Sequence, residues 1–395
     1  MNHVNLKISV ILSIVIVALT AYIAGCINQS SESSARVAKA SLMITDDKII
    51  LHADSSTLNR FDYIQYLNHH DKELLFFLNR VKNEILIYDA KKENPIHRIR
   101  VPVEGPDGAG TIQGFKVYSP DSILITSRQI SKIFLIDGKG KILQSYSYRT
   151  SIDGELIYPV RLGMDPYKEL DLVGGKFYLP GMVEGNWLQI SERDFVNTRI
   201  CIELDTMSKK VSKLSWGYPS DYWQNGRKEP VFGRIFDGQH FIYSFWGDEY
   251  IYVTADHLGY SKHYAGTSYL KNIQNLPKEQ TMQDYMKYIA GSGRYSTILF
   301  DLHRKVYYRW VYLPEEEELI SQDLMKSARF PSKTVIVILD SDFNWIGETK
   351  LPDERFYAAN FFINKKGLYL SECHPNNDRV GEDSIIFTRL DLRYF

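Results

Sequence analysis

The chain has 395 residues, of which 44% are hydrophobic, 24% charged and 13% aromatic, and this composition excludes disordered, collagen-like and disulfide-stapled proteins. The formal net charge of −1, from 47 Lys and Arg against 48 Asp and Glu, gives no basic surface for nucleic acid, so we predict no nucleic-acid partner. Tyr is the most abundant aromatic residue, with 27 copies, and a Tyr-rich chain favours pleated sheet over helix.

The N-terminus carries a charged residue, an apolar run and small residues before a cysteine. Lys7 precedes the run 8–25, which ends in Ala24-Gly25-Cys26. This segment resembles a bacterial lipoprotein signal, which implies cleavage after residue 25 and a lipid on Cys26. Residues 26–40 are Ser-rich and polar, as expected of a lipidated tether. An uncleaved transmembrane anchor is the alternative, since about 18 apolar residues could just span a bilayer.

The signal predicts that the protein is held at the bacterial cell envelope, in the outer membrane, by the lipid on Cys26. The partners that we predict are therefore the membrane itself and a glycan, a peptide or an envelope protein. The sequence does not indicate which leaflet the protein faces.

From residue 41 onwards the chain is a series of short β-type runs separated by turn residues. Six of these runs end in an aspartate, and the spacing of about 50 residues, stretched by insertions, indicates a repeat architecture. We predict that these aspartates open tight turns by accepting hydrogen bonds from the following backbone, and we assign them no chemistry. They are Asp89, Asp137, Asp205, Asp256, Asp340 and Asp391.

The second repeat shows four strands joined by short turns, which is the pattern of one blade of a β-propeller. The six repeats are residues 63–101, 115–146, 170–216, 232–265, 295–351 and 358–391. The sixth has only three strands, and we predict that residues 48–52 supply its outer strand and close the ring. The predicted fold is all-β: a six-bladed β-propeller of four-stranded antiparallel blades within one domain, 41–395, with short helical insertions.

Three features together resemble a known group of proteins: the Ala-Gly-Cys signal, the strand rhythm of residues 115–141, and Tyr307-Tyr308-Arg309. The chain is similar to the six-bladed propeller lipoproteins of Bacteroidota, which are related in pattern to NHL and TolB-like propellers and include domain families of unknown function. The resemblance covers residues 40–395 and implies an architecture. It supplies no catalytic residues.

No cofactor or metal site is predicted. Cys201 and Cys373 lie in different repeats, so we predict two free buried thiols rather than a disulfide or a zinc site. The acidic run 315–318 follows Pro314 and is typical of a helix start rather than of a cation site. The segment 374–383 is rich in oxygen ligands but lacks the order of an EF-hand loop.

Connections between strands divide the predicted propeller into two faces. The long insertions all fall between the second and third strands of a blade or between one blade and the next, and therefore emerge on one face. Two of them show helical periodicity, around 278–289 and 319–328. We therefore expect any binding site on this face.

The residues that we select as ligand-binding candidates are Arg309, Trp187, Trp223, Arg161, Glu184 and His374. An Arg near the axis is suited to an anionic group, although a salt bridge to a neighbouring blade is an equal alternative for Arg309. Exposed Trp rings in the insertions are suited to stacking on a sugar or peptide. Trp216 and Trp246, by contrast, are predicted to pack between blades.

Three functions remain open from the sequence. The leading hypothesis is a lipid-anchored, non-catalytic propeller that recognises its partner through the insertion-bearing face, since no nucleophile elbow, phosphate loop or metalloprotease helix is present. The alternative is a glycan-active lyase or hydrolase that uses Arg309, Glu184, Glu372 or His374 at the channel. A purely structural envelope subunit is the third.

Overall fold

The computed structural model describes residues 37–53, 57–61, 63–127, 130–157, 170–181, 189–276 and 281–395. The predicted signal peptide, Cys26 and most of the tether lie outside these residues. Ala38–Phe395 form one compact unit. Within the part of the chain that is described, no helix is both long and apolar enough to cross a bilayer.

The fold is almost entirely β, and its first strand is β1 (Ala40–His52). Four separate antiparallel sheets of four strands follow in chain order, each with its strands side by side. They are β2 (Ile64–His69), β3 (Lys72–Asn79), β4 (Glu84–Asp89) and β5 (Pro95–Arg100); β6 (Ile112–Ser119), β7 (Ser122–Ser127), β8 (Lys132–Ile136) and β9 (Ile142–Ser147); β10 (Asp171–Val173), β11 (Lys176–Pro180), β12 (Cys201–Asp205) and β13 (Val211–Lys213); and β14 (Phe232–Phe236), β15 (Phe241–Phe245), β16 (Tyr250–Thr254) and β17 (Ser261–Tyr264).

The remaining strands form one eight-stranded sheet in the order β18-β19-β20-β21-β1-β24-β23-β22. Its strands are β18 (Arg294–Asp301), β19 (Val306–Tyr312), β20 (Thr334–Leu339), β21 (Trp345–Lys350), β22 (Tyr357–Ile363), β23 (Leu368–Ser371) and β24 (Ser384–Tyr394), together with β1. The prediction of separate four-stranded antiparallel blades is confirmed for four of the six repeats. Among the described strands, the fifth and sixth repeats instead form this one larger sheet, because β1 pairs on both of its edges.

The sheets follow one another around a propeller-like ring. The first strands of neighbouring sheets contact each other, as β14 does with β18 and β2 does with both β6 and β22. The apolar core lies between consecutive groups of four strands rather than within one centre. One cluster joins β2–β5 to β6–β9, and another packs β22–β24 back against β2–β5.

The predicted pairing of the N-terminal strand with the last repeat is confirmed. β1 runs antiparallel to β24, from Ala40 opposite Tyr394 to His52 opposite Ser384. On its other edge β1 meets β21 in parallel at the single pair Ala40 and Gly347. The first strand thus protects the edge of β24, which would otherwise offer unpaired backbone groups to another chain.

The turn role predicted for the aspartates holds for five of the six. Asp137 accepts hydrogen bonds from the backbone N–H of Lys139 and Lys141, both at 2.9 Å, and these bonds lower the pKa of its carboxyl group. Asp89, Asp205, Asp256 and Asp340 accept equivalent backbone bonds. Asp391 differs, because it lies within β24 and pairs with Arg389 and Arg393 instead.

The described parts of the long insertions contain four short helices. They are α1 (Glu192–Val196), α2 (Met282–Gly291), α3 (Glu317–Gln322) and α4 (Leu324–Arg329). α2 begins with a capping box, in which the Thr281 hydroxyl accepts from the N–H of Asp284 and the Asp284 carboxylate accepts from the N–H of Thr281. The two helical insertions that periodicity predicted are therefore present, and their apolar faces pack against each other.

Arg309, on β19, joins two neighbouring sheets from a fully buried position. Its Nε donates to Ser244 Oγ at 2.9 Å, and its two terminal nitrogens donate to the carbonyl oxygens of Phe245, Asp248, Glu249 and Ala265. The guanidinium carbon lies 4.1 Å from the Tyr295 ring centroid. Burial lowers the pKa of Arg309 to about 10, which still leaves it charged at neutral pH.

Replacing Arg309 should destabilise the protein strongly. In Arg309→Met the four carbonyls lose their donor in a buried site, and we expect the free energy of unfolding to fall by about 3–5 kcal/mol. Urea denaturation measures this loss of unfolding free energy. Arg379→Met, at an exposed loop position, is the control and should change stability by less than about 0.5 kcal/mol. A loss below about 1 kcal/mol in Arg309→Met would contradict this role.

A second test concerns the contact between β1 and β21. A Cβ on Gly347 would lie 1.9 Å from the carbonyl oxygen of Ala40, so Gly347→Ala must push the strands apart. We expect faster amide hydrogen exchange at Lys39 and Leu42, whose N–H groups bond to Ile346 and Thr349 on β21. Gly259→Ala, where a Cβ would meet nothing within 4 Å, should leave exchange unchanged. Unaltered protection at both amides in Gly347→Ala would rule out a close contact there.

Candidate functional site

The strand bounds confirm that the long insertions share one face. We call the long-loop face the one formed by the described parts of these insertions, residues 101–111, 148–157, 170, 181, 189–200, 214–231, 265–276, 281–293, 313–333 and 372–383. The turn face is formed by the short connections between first and second strands and between third and fourth strands, such as 70–71, 137–141, 206–210 and 364–367. This division places the long insertions on one side of a rigid scaffold.

The two faces also differ in their exposed charges. On the turn face the exposed lysines outnumber the exposed acidic residues, since most turn aspartates point at the backbone that they cap. The exposed lysines of the turns are Lys72, Lys91, Lys92, Lys139, Lys141, Lys209, Lys210, Lys305, Lys365 and Lys366, and the exposed acidic residues are Asp71, Glu93, Asp121, Asp256 and Asp342.

Three of the predicted ligand-binding residues, Arg161, Glu184 and Trp187, lie outside the described residues. Of the others, Arg309 is buried and its N–H donors are bound to protein acceptors, so it offers no donor to a ligand. The alternative for Arg309 was a salt bridge to a neighbouring blade; Arg309 does bond to the neighbouring sheet, but its acceptors are backbone carbonyls and a hydroxyl rather than a carboxylate.

Trp223 is also a structural residue. Its ring is 5% exposed and stacks on Phe195 with a centroid separation of 3.6 Å and an interplanar angle of 3°. Its Nε1 donates to the carbonyl of Lys228 at 3.0 Å, and the Arg227 guanidinium carbon lies 5.0 Å from the ring. Phe195 and Arg227 both pack against the Trp223 ring, so no face of the ring is open to a ligand.

His374 is 3% exposed and fixes the last insertion to the end of α4. Its Nδ1 accepts from the N–H of Asn376 at 3.2 Å, and its Nε2 lies 3.4 Å from the carbonyl oxygen of Phe330. Burial lowers the pKa of His374, so the ring is neutral. His374 therefore supports Phe330 rather than contacting a ligand itself.

Glu372, proposed for glycan chemistry, is committed to protein partners. It lies 2.6 Å from Arg355 and 3.0 Å from Lys48, and it accepts from the Thr388 hydroxyl at 2.8 Å. Burial alone would raise the pKa of Glu372, but these hydrogen bonds lower it on balance. A carboxylate held ionised in this way is not a general acid.

A cavity of about 220 Å³ opens on the long-loop face where the two helical insertions meet the inner strands. Trp246 follows β15, Arg294 begins β18, Tyr312 ends β19, and residues 357–359 begin β22. α2 contributes Tyr285, Met286 and Ile289, and the end of α4 contributes Ala328, Arg329, Phe330 and Pro331. The cavity thus requires strands from three parts of the ring and both insertions.

Aromatic rings and guanidinium groups dominate the cavity. The Arg294 guanidinium carbon lies 5.3 Å from the Trp246 ring and 5.1 Å from the Tyr312 ring, which are cation–π distances. Arg329 is exposed and lies 5.4 Å from the Phe330 ring. The described lining residues include these two arginines and no acidic residue, so the walls favour a ligand with an apolar or ring face and negative charge.

Sequence reasoning missed this site. It assigned Trp246 to packing between blades and did not select Arg294, Tyr312, Arg329 or Tyr357. One signal was available: Arg294 directly follows Gly291-Ser292-Gly293 at the end of the longest insertion, where an inner strand begins. Nothing in the sequence indicates that the ends of β18, β19 and β22 converge.

A buried polar cluster between two sheets contains a cysteine and a histidine. Sγ of Cys201 lies 3.4 Å from Nε2 of His257, and the Tyr243 hydroxyl lies 2.9 Å from the same nitrogen. Arg234, beside them, is fully buried and donates to Asp171 at 2.9 Å. Cys201 and Cys373 are both free and buried, as the sequence predicted.

This Cys–His pair is not poised for nucleophilic catalysis. Burial raises the pKa of Cys201 to about 11, whereas burial and the Arg234 guanidinium lower the pKa of His257 to about 3. A nucleophilic cysteine needs the thiolate and access to substrate, and this thiol has neither. Among the described residues, no group of three or more His, Cys, Asp or Glu side chains could hold a metal ion.

The His257 environment predicts a dependence of stability on pH. Because the pKa is about 6.5 unfolded and about 3 folded, the unfolded chain binds more protons between these values, so stability is full above pH 6.5 and falls on acidification. Between pH 7.5 and 5 His257 should account for a loss of about 2 kcal/mol. His257→Asn, which tolerates the left-handed φ of 62° at this position, should show that much less acid destabilisation in urea titrations. Parallel pH curves for the two proteins would contradict it.

Comparison with known proteins gives a family and a fold. No curated protein matches this chain at a significant level. A member of the DUF4221 family from Bacteroides vulgatus superposes with a TM-score of 0.80 at 21% identity, over 91% of this chain and 100% of that chain. A putative exported protein from Bacteroides fragilis gives a TM-score of 0.53 at 12% identity, over 89% of this chain and 95% of that chain.

At these identities the solved structures show the fold alone, and they agree with the propeller-like arrangement of the sheets. The sequence match is more specific, because the family model covers the chain from the residue before β1 to the end of β21. Residues 39–350 match the model described as "Domain of unknown function (DUF4221)", and the chain therefore belongs to the DUF4221 family.

Proposed function

We propose that this protein is a lipid-anchored, non-catalytic propeller of the bacterial cell envelope that holds the end of a partner molecule in the cavity of the long-loop face. The observation that carries the proposal is the cavity itself, whose aromatic walls and two arginines are brought together by inner strands and helical insertions. Rigid strands fix the Trp246, Arg294 and Tyr312 side of the cavity, and α2 and α4 supply the other side.

The size of the cavity indicates which part of a partner it would hold. Pockets for complete small molecules are usually about 300–1,000 Å³, and this one, at about 220 Å³, suits a single sugar ring or side chain. The partner is then a longer molecule whose end group enters the cavity while the rest lies along the insertions. Aromatic walls stack on a ring, and Arg329 is placed to pair with a carboxylate.

The Trp246 indole offers a further contact. Its Nε1 is buried, and no hydrogen-bond partner for it is found among the described residues. A ligand oxygen would satisfy this donor, since an unmet buried donor is costly. The ligand class is thus an anionic end group with a ring or apolar face, which either an acidic glycan or a peptide C-terminus provides.

The N-terminal sequence supports the proposal of a lipid anchor. The charged Lys7, the apolar run and Ala24-Gly25-Cys26 support cleavage before Cys26 and lipidation of its thiol. The polar segment that follows supports a tether between the membrane and the domain 41–395.

We also propose that the eight-stranded sheet acts as two four-stranded blades, which makes six in all. The support is that β21 and β1 are joined by one parallel pair only, Ala40 with Gly347, whereas β1 and β24 pair along most of their length. In addition, an apolar cluster packs the β18–β21 half against the β22–β24 half.

Binding arrays of acidic oligosaccharides and of peptides with free C-termini test the proposed function. We expect ligands of one of these two classes to bind, and Arg329→Ala to weaken their binding at least tenfold, which corresponds to about 1.4 kcal/mol or more. Met325→Ala, an exposed position on the same helix outside the cavity, is the matched control and should bind normally. Binding that survives both Arg329→Ala and Trp246→Ala would place the site elsewhere.

A further inference from the structure

The domain has a second surface whose position is set by the direction of β1. β24 starts at Ser384, next to the insertion 372–383 of the long-loop face, and ends at Tyr394 on the turn face. Because β1 is antiparallel to β24 and pairs Ala40 with Tyr394, the chain enters the domain on the turn face. The N–H of Lys39 bonds to Ile346, and the N–H of Phe395 bonds to Lys39, so this entry point is fixed to the sheet.

The proposed lipid on Cys26 would therefore attach the domain to the membrane from its turn face. About thirteen residues, 27–39, separate Cys26 from β1, and such a polar segment spans about 20 Å as a coil and about 45 Å when fully extended. This distance is short enough to keep the turn face near the bilayer. The long-loop face, at the other end of the strands, then points away from it.

The chemistry of the turn face suits an anionic lipid surface. Exposed lysines come in pairs at three of its turns, 91–92, 209–210 and 365–366. Exposed apolar side chains lie at three turn tips of the same face: Met207, in the turn that carries Lys209 and Lys210, is 91% exposed, Leu258 83% and Leu302 58%. Lysines gather at an anionic membrane surface, and apolar tips enter its interfacial layer.

The long-loop face has the opposite character. Its insertions expose many acidic side chains, including Glu104, Asp107, Glu192, Glu317, Asp378 and Glu382. An anionic membrane would repel this face and attract the turn face. The net charge of the whole chain is near zero, but the two faces of the domain therefore carry exposed charge of opposite sign.

We infer that the turn face is a membrane-docking surface that lies against anionic lipid headgroups and presents the long-loop face, with its cavity, to the space beyond. The inference rests on the lipid anchor of the proposed function and adds an orientation and a lipid preference to it. Docking of this kind depends on charge, so it weakens with salt and in zwitterionic membranes.

The full-length lipoprotein reconstituted in vesicles tests the orientation. Met207→Cys on the turn face and Met325→Cys on α4 of the long-loop face are matched exposed positions, and each takes a fluorophore while Cys201 and Cys373 stay buried. With a nitroxide quencher on the lipid headgroups, we expect at least threefold stronger quenching at position 207 than at 325 in phosphatidylglycerol-containing vesicles. The difference should shrink in phosphatidylcholine vesicles and at 0.5 M salt, a concentration at which charges are screened over roughly 4–5 Å.

A charge-reversal pair identifies the responsible face. Lys365→Glu with Lys366→Glu should at least halve the quenching at position 207, while Lys271→Glu with Lys287→Glu on the long-loop face should leave it unchanged. Equal quenching at 207 and 325, or stronger quenching at 325, overturns the docking surface.

The mass of the Cys26 peptide separates the two possible failures. If Cys26 is lipidated but quenching shows no preference for the turn face, the docking surface is overturned and the lipid anchor is retained. An unmodified Cys26 overturns the anchor and the docking surface together.

Discussion

The structure depends on the pairing of its first strand with its last. β1 covers the edge of β24 over residues 40–52, so the backbone groups of that edge are satisfied within the chain rather than by a neighbouring molecule. This pairing brings the two ends of the domain together and allows β22–β24 to pack on β2–β5. It also joins two four-stranded groups into one sheet through Ala40 and Gly347. The entry of the chain into the domain at Lys39, on the turn face, follows from the same pairing.

Apolar packing between sheets is not directional, and buried arginines add direction to it. Arg309 ties β19 to the carbonyls around β15 and β17, and Arg234 ties β14 to Asp171 and to the carbonyl of Tyr178. Each guanidinium has donors in fixed directions, so it keeps these acceptors at only one relative placement of the two sheets. This requirement fixes how neighbouring sheets sit, because a sliding movement would leave buried polar groups unpaired.

The two faces of the ring carry different chemistry because their connections differ in length. Short turns leave room for little besides the capping aspartates, the lysines and a few apolar tips. Long insertions contribute helices and aromatic residues, which either pack on themselves, as Phe195 and Trp223 do, or meet the inner strands to form the cavity. The proposed binding site on the long-loop face and the proposed membrane-docking surface on the turn face are therefore compatible within one molecule.

The sequence by itself determined the local structure. Alternating apolar strands, the turn aspartates and the capping signals act over a few residues, which is why the repeats, the short turns and two helical insertions could be predicted. The pairing of the N-terminal strand was predicted on a different ground, because the last repeat lacks a fourth strand of its own. The site could not be predicted. The sequence predicts Arg309 and Trp223 as binding residues, yet both are buried and already hydrogen-bonded to partners within the protein. Trp246, Arg294 and Tyr312, in contrast, line a cavity that no short segment encodes.

Tertiary structure decided which polar and aromatic side chains remain available to a ligand, and whether β1 joins one sheet or two. Both outcomes depend on contacts between residues that are far apart in the chain. A local pattern indicates the kind of side chain and the direction in which a strand or helix presents it. The residues that cover that side chain or bond to its polar atoms come from other sheets.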